Sequence, residues 1–104
     1  MASGKEYLDY VLEQLSDLEG ITYRPMMGEF ILYCNGRIFG GIYDDRLLVK
    51  ITKASRRLMP DAPEQLPYEG SKPMLLVEDI DDRALLTELV NAMFGELPAP
   101  KKKK

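Results

Sequence analysis

Tyr23–Lys50, YRPMMGEFILYCNGRIFGGIYDDRLLVK, reads as a β-meander: short runs of β-branched and aromatic residues, each parted from the next by two residues that favour a turn. Strands are expected over 21–26, 29–35, 37–43 and 46–51. Asn35-Gly36 is the sharpest signal, because both positions accept positive φ and so close a two-residue type I′ hairpin. Asp44-Asp45 closes the following pair less readily, since aspartate enters the left-handed region at a cost that glycine escapes. Gly28, between Met27 and Glu29, is expected to supply a positive φ at the first turn, and Gly40-Gly41 inside a strand implies a bulge or a close backbone approach.

These strands are apolar on both faces. Phe30 and Leu32 point one way, Ile31 and Tyr33 the other, and Leu47 to Val49 form a continuous apolar run. Helices on one side cannot cover both faces. The second face is covered either by loops and the proline-rich segment that follows, or by a second copy of the chain in a homodimer.

Upstream of the meander, Ser3 and Glu6 form a capping-box pattern, and Leu8, Val11, Leu12, Leu15 and Leu18 recur at helical spacing until Gly20. Asp9, Glu13 and Asp17 occupy the opposite, solvated face. Downstream, Thr52 to Leu58 has the character of a short helix. Pro60, Pro63, Pro67, Gly70 and Pro73 then mark a loop too rich in proline for regular structure. Met74 to Val77 reads as a buried strand. Asp79 or Asp81 is expected to cap a last helix whose inner stripe is Leu85, Leu86, Leu89, Val90 and Met93, with Gly95 past its end.

A chain of 104 residues holds one domain, placed at 1–96, with a disordered Pro/Lys tail at 97–104. The net charge of −3 conceals an acidic body: four of fourteen basic residues lie in Lys101–Lys104, so residues 1–100 carry 10 basic against 17 acidic side chains, or −7. Such a body repels phosphate backbones, which disfavours direct DNA binding. One cysteine and no histidine leave no intramolecular disulfide and no zinc-type cluster, and remove the usual general base at neutral pH. No catalytic residue, cofactor or metal is expected. The N-terminus lacks an apolar signal core and no stretch is long enough for a membrane span, so a cytoplasmic location is expected.

The element order, together with R-x-M-x-G at Arg24, Met26 and Gly28, the N-G hairpin and the closing L-x-V-K at Leu47–Lys50, resembles the N-terminal domain of the TfoX/Sxy family of bacterial competence regulators over about residues 4 to 94. Met27 stands where members often have Phe. The resemblance implies an α+β fold of two layers: an antiparallel β-meander sheet packed by N- and C-terminal helices, secretion-chaperone-like, in the order α-β-β-β-β-α-β-α. It also implies transcriptional regulation through protein partners rather than catalytic turnover.

Six residues are candidates for ligand or partner binding. Pro25 holds the Arg24 backbone extended, and a guanidinium fixed at a strand edge suits bidentate capture of a carboxylate or phosphate; the alternative is an internal ion pair with Glu29 or an aspartate. Lys50 closes the fourth strand and would share a pocket with Arg24 if their strands are close; otherwise it blunts an edge or snorkels. Met26 and Met27 offer adaptable apolar contact or fill the core, beside the turn at Gly28, and Tyr43 joins the same sheet-end pocket. Cys34 reads as a structural thiol, with Arg37 the residue placed to lower its pKa. Asp79, Asp81 and Asp82 lack the spacing of a calcium loop and suit helix capping. Two functions follow: a non-enzymatic regulatory or adaptor module that binds a protein, whether a regulator or itself, or a sensor of a small ligand or anion.

Overall fold

The computed structural model describes residues 4–26, 28–67 and 69–97. Met27 and the Ser3 of the expected capping box lie outside them, as do residues 98–104 of the expected tail. Nine elements follow in the order α1 (Lys5–Gln14), β1 (Ile21–Met26), β2 (Glu29–Cys34), β3 (Arg37–Ile42), β4 (Leu47–Val49), α2 (Lys53–Leu58), β5 (Glu64–Gln65), β6 (Met74–Leu76) and α3 (Arg83–Phe94). The six strands form one antiparallel sheet ordered β1-β2-β3-β4-β6-β5. This is the α+β arrangement that the meander implies, with one addition: β5 lies inside the proline-rich segment. A two-residue strand fits between Pro63 and Pro67 because β5 is an edge, where a residue without an N–H costs no ladder bond; Leu76 N–H still donates to the Pro63 carbonyl at 2.9 Å.

The turns are those that the side chains demand. Met26 pairs with Glu29, and Gly28 closes the turn between them at φ +86°. Asn35 and Gly36 both take positive φ, at 52° and 84°. Asp44 and Asp45 take the same conformation at 54° and 56°, and distant groups hold them there. Asp45 Oδ1 accepts from Gly4 N–H at 2.9 Å, and Glu29 Oε1 accepts from Asp44 N–H at 2.9 Å. The first of these also tethers the start of α1, whose N-cap is Gly4.

Leu8, Val11 and Leu15 of the α1 region and Leu86, Leu89, Val90 and Met93 of α3 pack with Leu32, Phe39, Ile42, Leu47, Val49 and Leu75 of the sheet in one core. Each Leu buried in this way contributes on the order of 1.5–3 kcal/mol. Asp82, rather than Asp79 or Asp81, caps α3, its side chain accepting from Leu85 N–H at 3.0 Å. The cause is a tight turn before the helix, in which Asp82 N–H donates to the Asp79 carbonyl and the Asp81 carboxylate is taken by the Tyr10 hydroxyl. Leu97, just past α3, is buried as well. Arg37 lies over the Phe94 ring at 4.5 Å and donates to the carbonyls of Phe94 and Leu97, closing the end of α3 with its charge. Its guanidinium is therefore engaged there rather than with the Cys34 thiol.

The sheet face away from this core is covered unevenly. Leu48 is fully buried and Tyr43 nearly so, yet neither belongs to the helix-packed cluster. Ile31, opposite Gly41 and in register with Leu48, is only half-buried. The proline-rich segment reaches the β3–β4 side of this face. Arg46 ties its start to the β3–β4 turn, donating to Gln65 Oε1 at 2.6 Å and to the Tyr43 carbonyl at 3.1 Å.

Candidate functional site

The meander turns the five described candidates toward two places. Arg24 and Met26 lie on β1, an edge strand exposed from Thr22 to Met26, and Gly28 is exposed in the turn that follows. Tyr43 and Lys50, which leave β3 and β4, line one cavity on the outer face. Met27 is outside the described residues. The expected pairing of Arg24 with Lys50 does not occur. Arg24 stands opposite Ile31, and the register continues through Gly41 to Leu48, so three ladder spacings, roughly 14 Å, separate its strand from that of Lys50. Nor does Arg24 pair with Glu29 among the described residues, because the Glu29 carboxylate serves the Asp44 turn.

At β1, Tyr23 and Met26 are each 40% exposed, large apolar side chains on a strand with a free edge. The Tyr23 ring stacks edge-on against Phe30, with centroids 5.8 Å apart, which fixes it in place. Behind it a groove of about 520 Å³ runs between the end of α1 and the start of β1, lined by Leu12, Leu15, Leu18 and Ile21. Pro25 is tolerated because the strand is an edge, and it removes one donor from that edge.

The outer cavity has a volume of about 720 Å³. Ile38, Ile51 and Met74 supply apolar walls, Lys50 and Lys72 two cations, and Pro67 with residues 70–73 the far side. Gly40 is part of its lining, and the backbone around it packs closely because Gly40 and Gly41 lack side chains. A Cβ at Gly41 would lie 2.7 Å from both the Phe30 carbonyl oxygen and the Tyr43 ring; one at Gly40 would lie 2.2 Å from the Leu48 oxygen. The Gly-Gly pair therefore lets the Tyr43 ring pack against β3 and lets β3 approach β4. The expected bulge is here too: the register shifts between Leu32 and Tyr33, leaving Phe39 as the extra residue between Ile38 and Gly40. Lys50 is held by its backbone. Its N–H donates to the Phe39 carbonyl at 2.9 Å, and its carbonyl accepts from the buried Ser55 hydroxyl at 3.0 Å.

Cys34 is buried, and that burial pushes its thiol above the ordinary value, which opposes use as a nucleophile. Among the described residues no group of three Cys, Asp or Glu side chains is placed to hold a metal ion. No helix among them is long and apolar enough to cross a membrane. Sequence reasoning missed Lys72 and Ile38 at the cavity. The bracket of Pro67 and Pro73 around Lys72 marks a stiff connection without saying what it faces.

A six-stranded antiparallel sheet with helices on one face, an edge strand exposed among the described residues and a cleft on the other face defines a small α+β module. The comparisons assign it further. The family model described as the TfoX N-terminal domain matches residues 13–95, and the chain belongs to that family. It is also 30% identical over 105 residues to an uncharacterized 12.7 kDa protein in the trpE 5′ region of Spirochaeta aurantia, a match covering 100% of this chain and 91% of the relative. No solved structure matches.

Proposed function

We propose that this chain is a non-enzymatic regulatory module that acts by binding a partner protein, and that its partner surface is the β1 edge with Tyr23, Arg24 and Met26. The observation that supports this is the exposure of β1 from residue 22 to 26 beside an apolar groove, in a sheet whose other edge is a two-residue strand. An extended segment of the partner can add to the Ile21–Arg24 part of the edge by main-chain hydrogen bonds, while Tyr23 and the groove behind it take its apolar side chains. Arg24, which makes no ion pair with another described residue, offers a bidentate site for a carboxylate on that segment. The acidic body and the buried, poorly nucleophilic thiol both favour binding of protein over nucleic acid or covalent chemistry.

The test is affinity capture from cell extract with the whole chain, the Tyr23→Ser/Arg24→Glu double variant, and Lys50→Gln as a control on the far side of the sheet. A protein retained by the wild type and by Lys50→Gln but lost from the β1 variant is the expected result. Equal retention by all three proteins removes β1 as the partner surface.

A further inference from the structure

We infer that the cleft on the outer face is a second, separate site, for a small organic anion that joins a carboxylate or phosphate head to an apolar body. The cavity of about 720 Å³ falls within the size range of small-molecule sites, and its lining is the usual mixture for one: apolar walls from Ile38, Ile51 and Met74 with few charged groups. The two charges present are both positive. Lys50 and Lys72 line the same cavity, and neither forms an ion pair with another described residue. On a body that carries −7 over residues 1–100, two ammonium groups in one concavity, with no ion pair to another described residue, mark a local reversal of sign. A single anion there relieves their mutual repulsion, and its apolar remainder removes the walls from water.

The framework of the cleft is preformed. Gly40 and Gly41 let β3, β4 and the Tyr43 ring pack closely beside it, and the Lys50 backbone is fixed on both sides by the Phe39 carbonyl and the Ser55 hydroxyl. Pro67 and Pro73 limit the freedom of the opposite wall. Preorganisation of this kind lowers the ordering cost of binding. The limited size of the cleft favours a small molecule over an extended polyanion, whose further charges would meet the acidic body. This site is on the other half of the sheet from β1, so it stands or falls apart from the partner surface.

The experiment is a thermal-shift titration with four probes: phenyl phosphate, benzoate, inorganic phosphate and benzyl alcohol. Methyl chemical shifts of Ile38, Ile51 and Met74 locate any binding. The expected result is a rise in Tm of about 5 °C or more with phenyl phosphate or benzoate, growing with the logarithm of concentration, and much smaller shifts with the charge-only and apolar-only probes. Which of the two aromatic anions wins decides between phosphate and carboxylate heads. Lys50→Gln and Lys72→Gln should each weaken binding by about tenfold or more, the scale of one charge-assisted hydrogen bond. Should either variant fold poorly, added salt must weaken wild-type binding in the same direction. The β1 double variant must bind as the wild type does. The inference is overturned by the absence of any shift with both aromatic anions, by inorganic phosphate matching phenyl phosphate, by salt-independent affinity, or by unaltered affinity in folded Lys50→Gln and Lys72→Gln proteins.

Discussion

Strands β1 and β4 belong to one sheet and are separated by only two others, yet β4 is buried at all three of its residues while β1 is exposed at five of six. Position in the sheet accounts for part of this, since β4 is flanked by β3 and β6 and β1 has a single neighbour. Cover accounts for the rest. Leu48 is shielded on the outer face, where the Tyr43 ring and the proline-rich segment crowd the β3–β4 side, and nothing among the described residues plays that role over β1. The difference separates a half of the molecule that specifies the fold from a half that is free to vary its contacts.

The largest expected effect comes from the covered half. In Gly40→Ala the new methyl would lie 2.2 Å from the Leu48 oxygen and 2.9 Å from the Val49 Cα, both backbone atoms that cannot step aside. Denaturant unfolding should show a loss of about 3 kcal/mol or more, as severe overpacking produces. Gly70→Ala gives the contrast, since its Cβ meets nothing within 4 Å and only the φ of +87° is strained; its cost should be about 1–2 kcal/mol. Equal losses at the two glycines would show that close approach of β3 to β4 is not what Gly40 provides.

Truncating one side chain in each half sharpens the comparison at a smaller scale. Leu48→Ala removes a fully buried side chain from the outer face and should lower stability by about 2–4 kcal/mol in urea unfolding. Tyr23→Ala, with its ring 40% exposed, should cost about 1 kcal/mol or less, most of it the edge-on contact with Phe30. Comparable values for the two would mean that the outer cover of β4 contributes little.

The smallest effect concerns pH. Burial raises the Cys34 thiol, and it also raises the half-buried Tyr7 hydroxyl. In both cases the unfolded chain releases its proton first as pH rises. Stability is therefore fully present below the unfolded thiol value, about pH 8.5, and declines above it until the folded groups themselves ionise. Unfolding midpoints measured from neutral to alkaline pH should fall, and Cys34→Ala should flatten the first part of that fall. A thiol reagent should label native protein far more slowly than unfolded protein.

The meander was legible because its information is local. Asn35-Gly36, the alternation through Phe30 to Tyr33 and the Gly-Gly pair each state their conformation within a few residues, and the observed register and bulge follow from them. What the sequence did not disclose depends on partners far along the chain. The Asp44-Asp45 turn relies on Gly4 and Glu29, Arg37 is claimed by the end of α3, and the cap of the last helix moved to Asp82 because Tyr10 engages Asp81. The candidate residues show the same limit. Arg24 and Lys50 look alike as cations in apolar surroundings, and only strand order reveals that one faces an open edge and the other a cleft completed by Lys72.

Glu96 offers a last consequence. Its two carboxylate oxygens accept from the Lys53 and Ala54 N–H groups, at 2.9 and 3.1 Å, and so complete the start of α2 from a point 42 residues later in the chain. A six-residue helix has no stability of its own in water. Whatever loosens the end of α3 thus withdraws support from α2, and the two helices are expected to loosen together although they are distant in sequence. Ile51, which lines the outer cleft, stands two residues before that helix, so the rim of the cleft adjoins an element whose first turn is completed by a carboxylate from beyond α3.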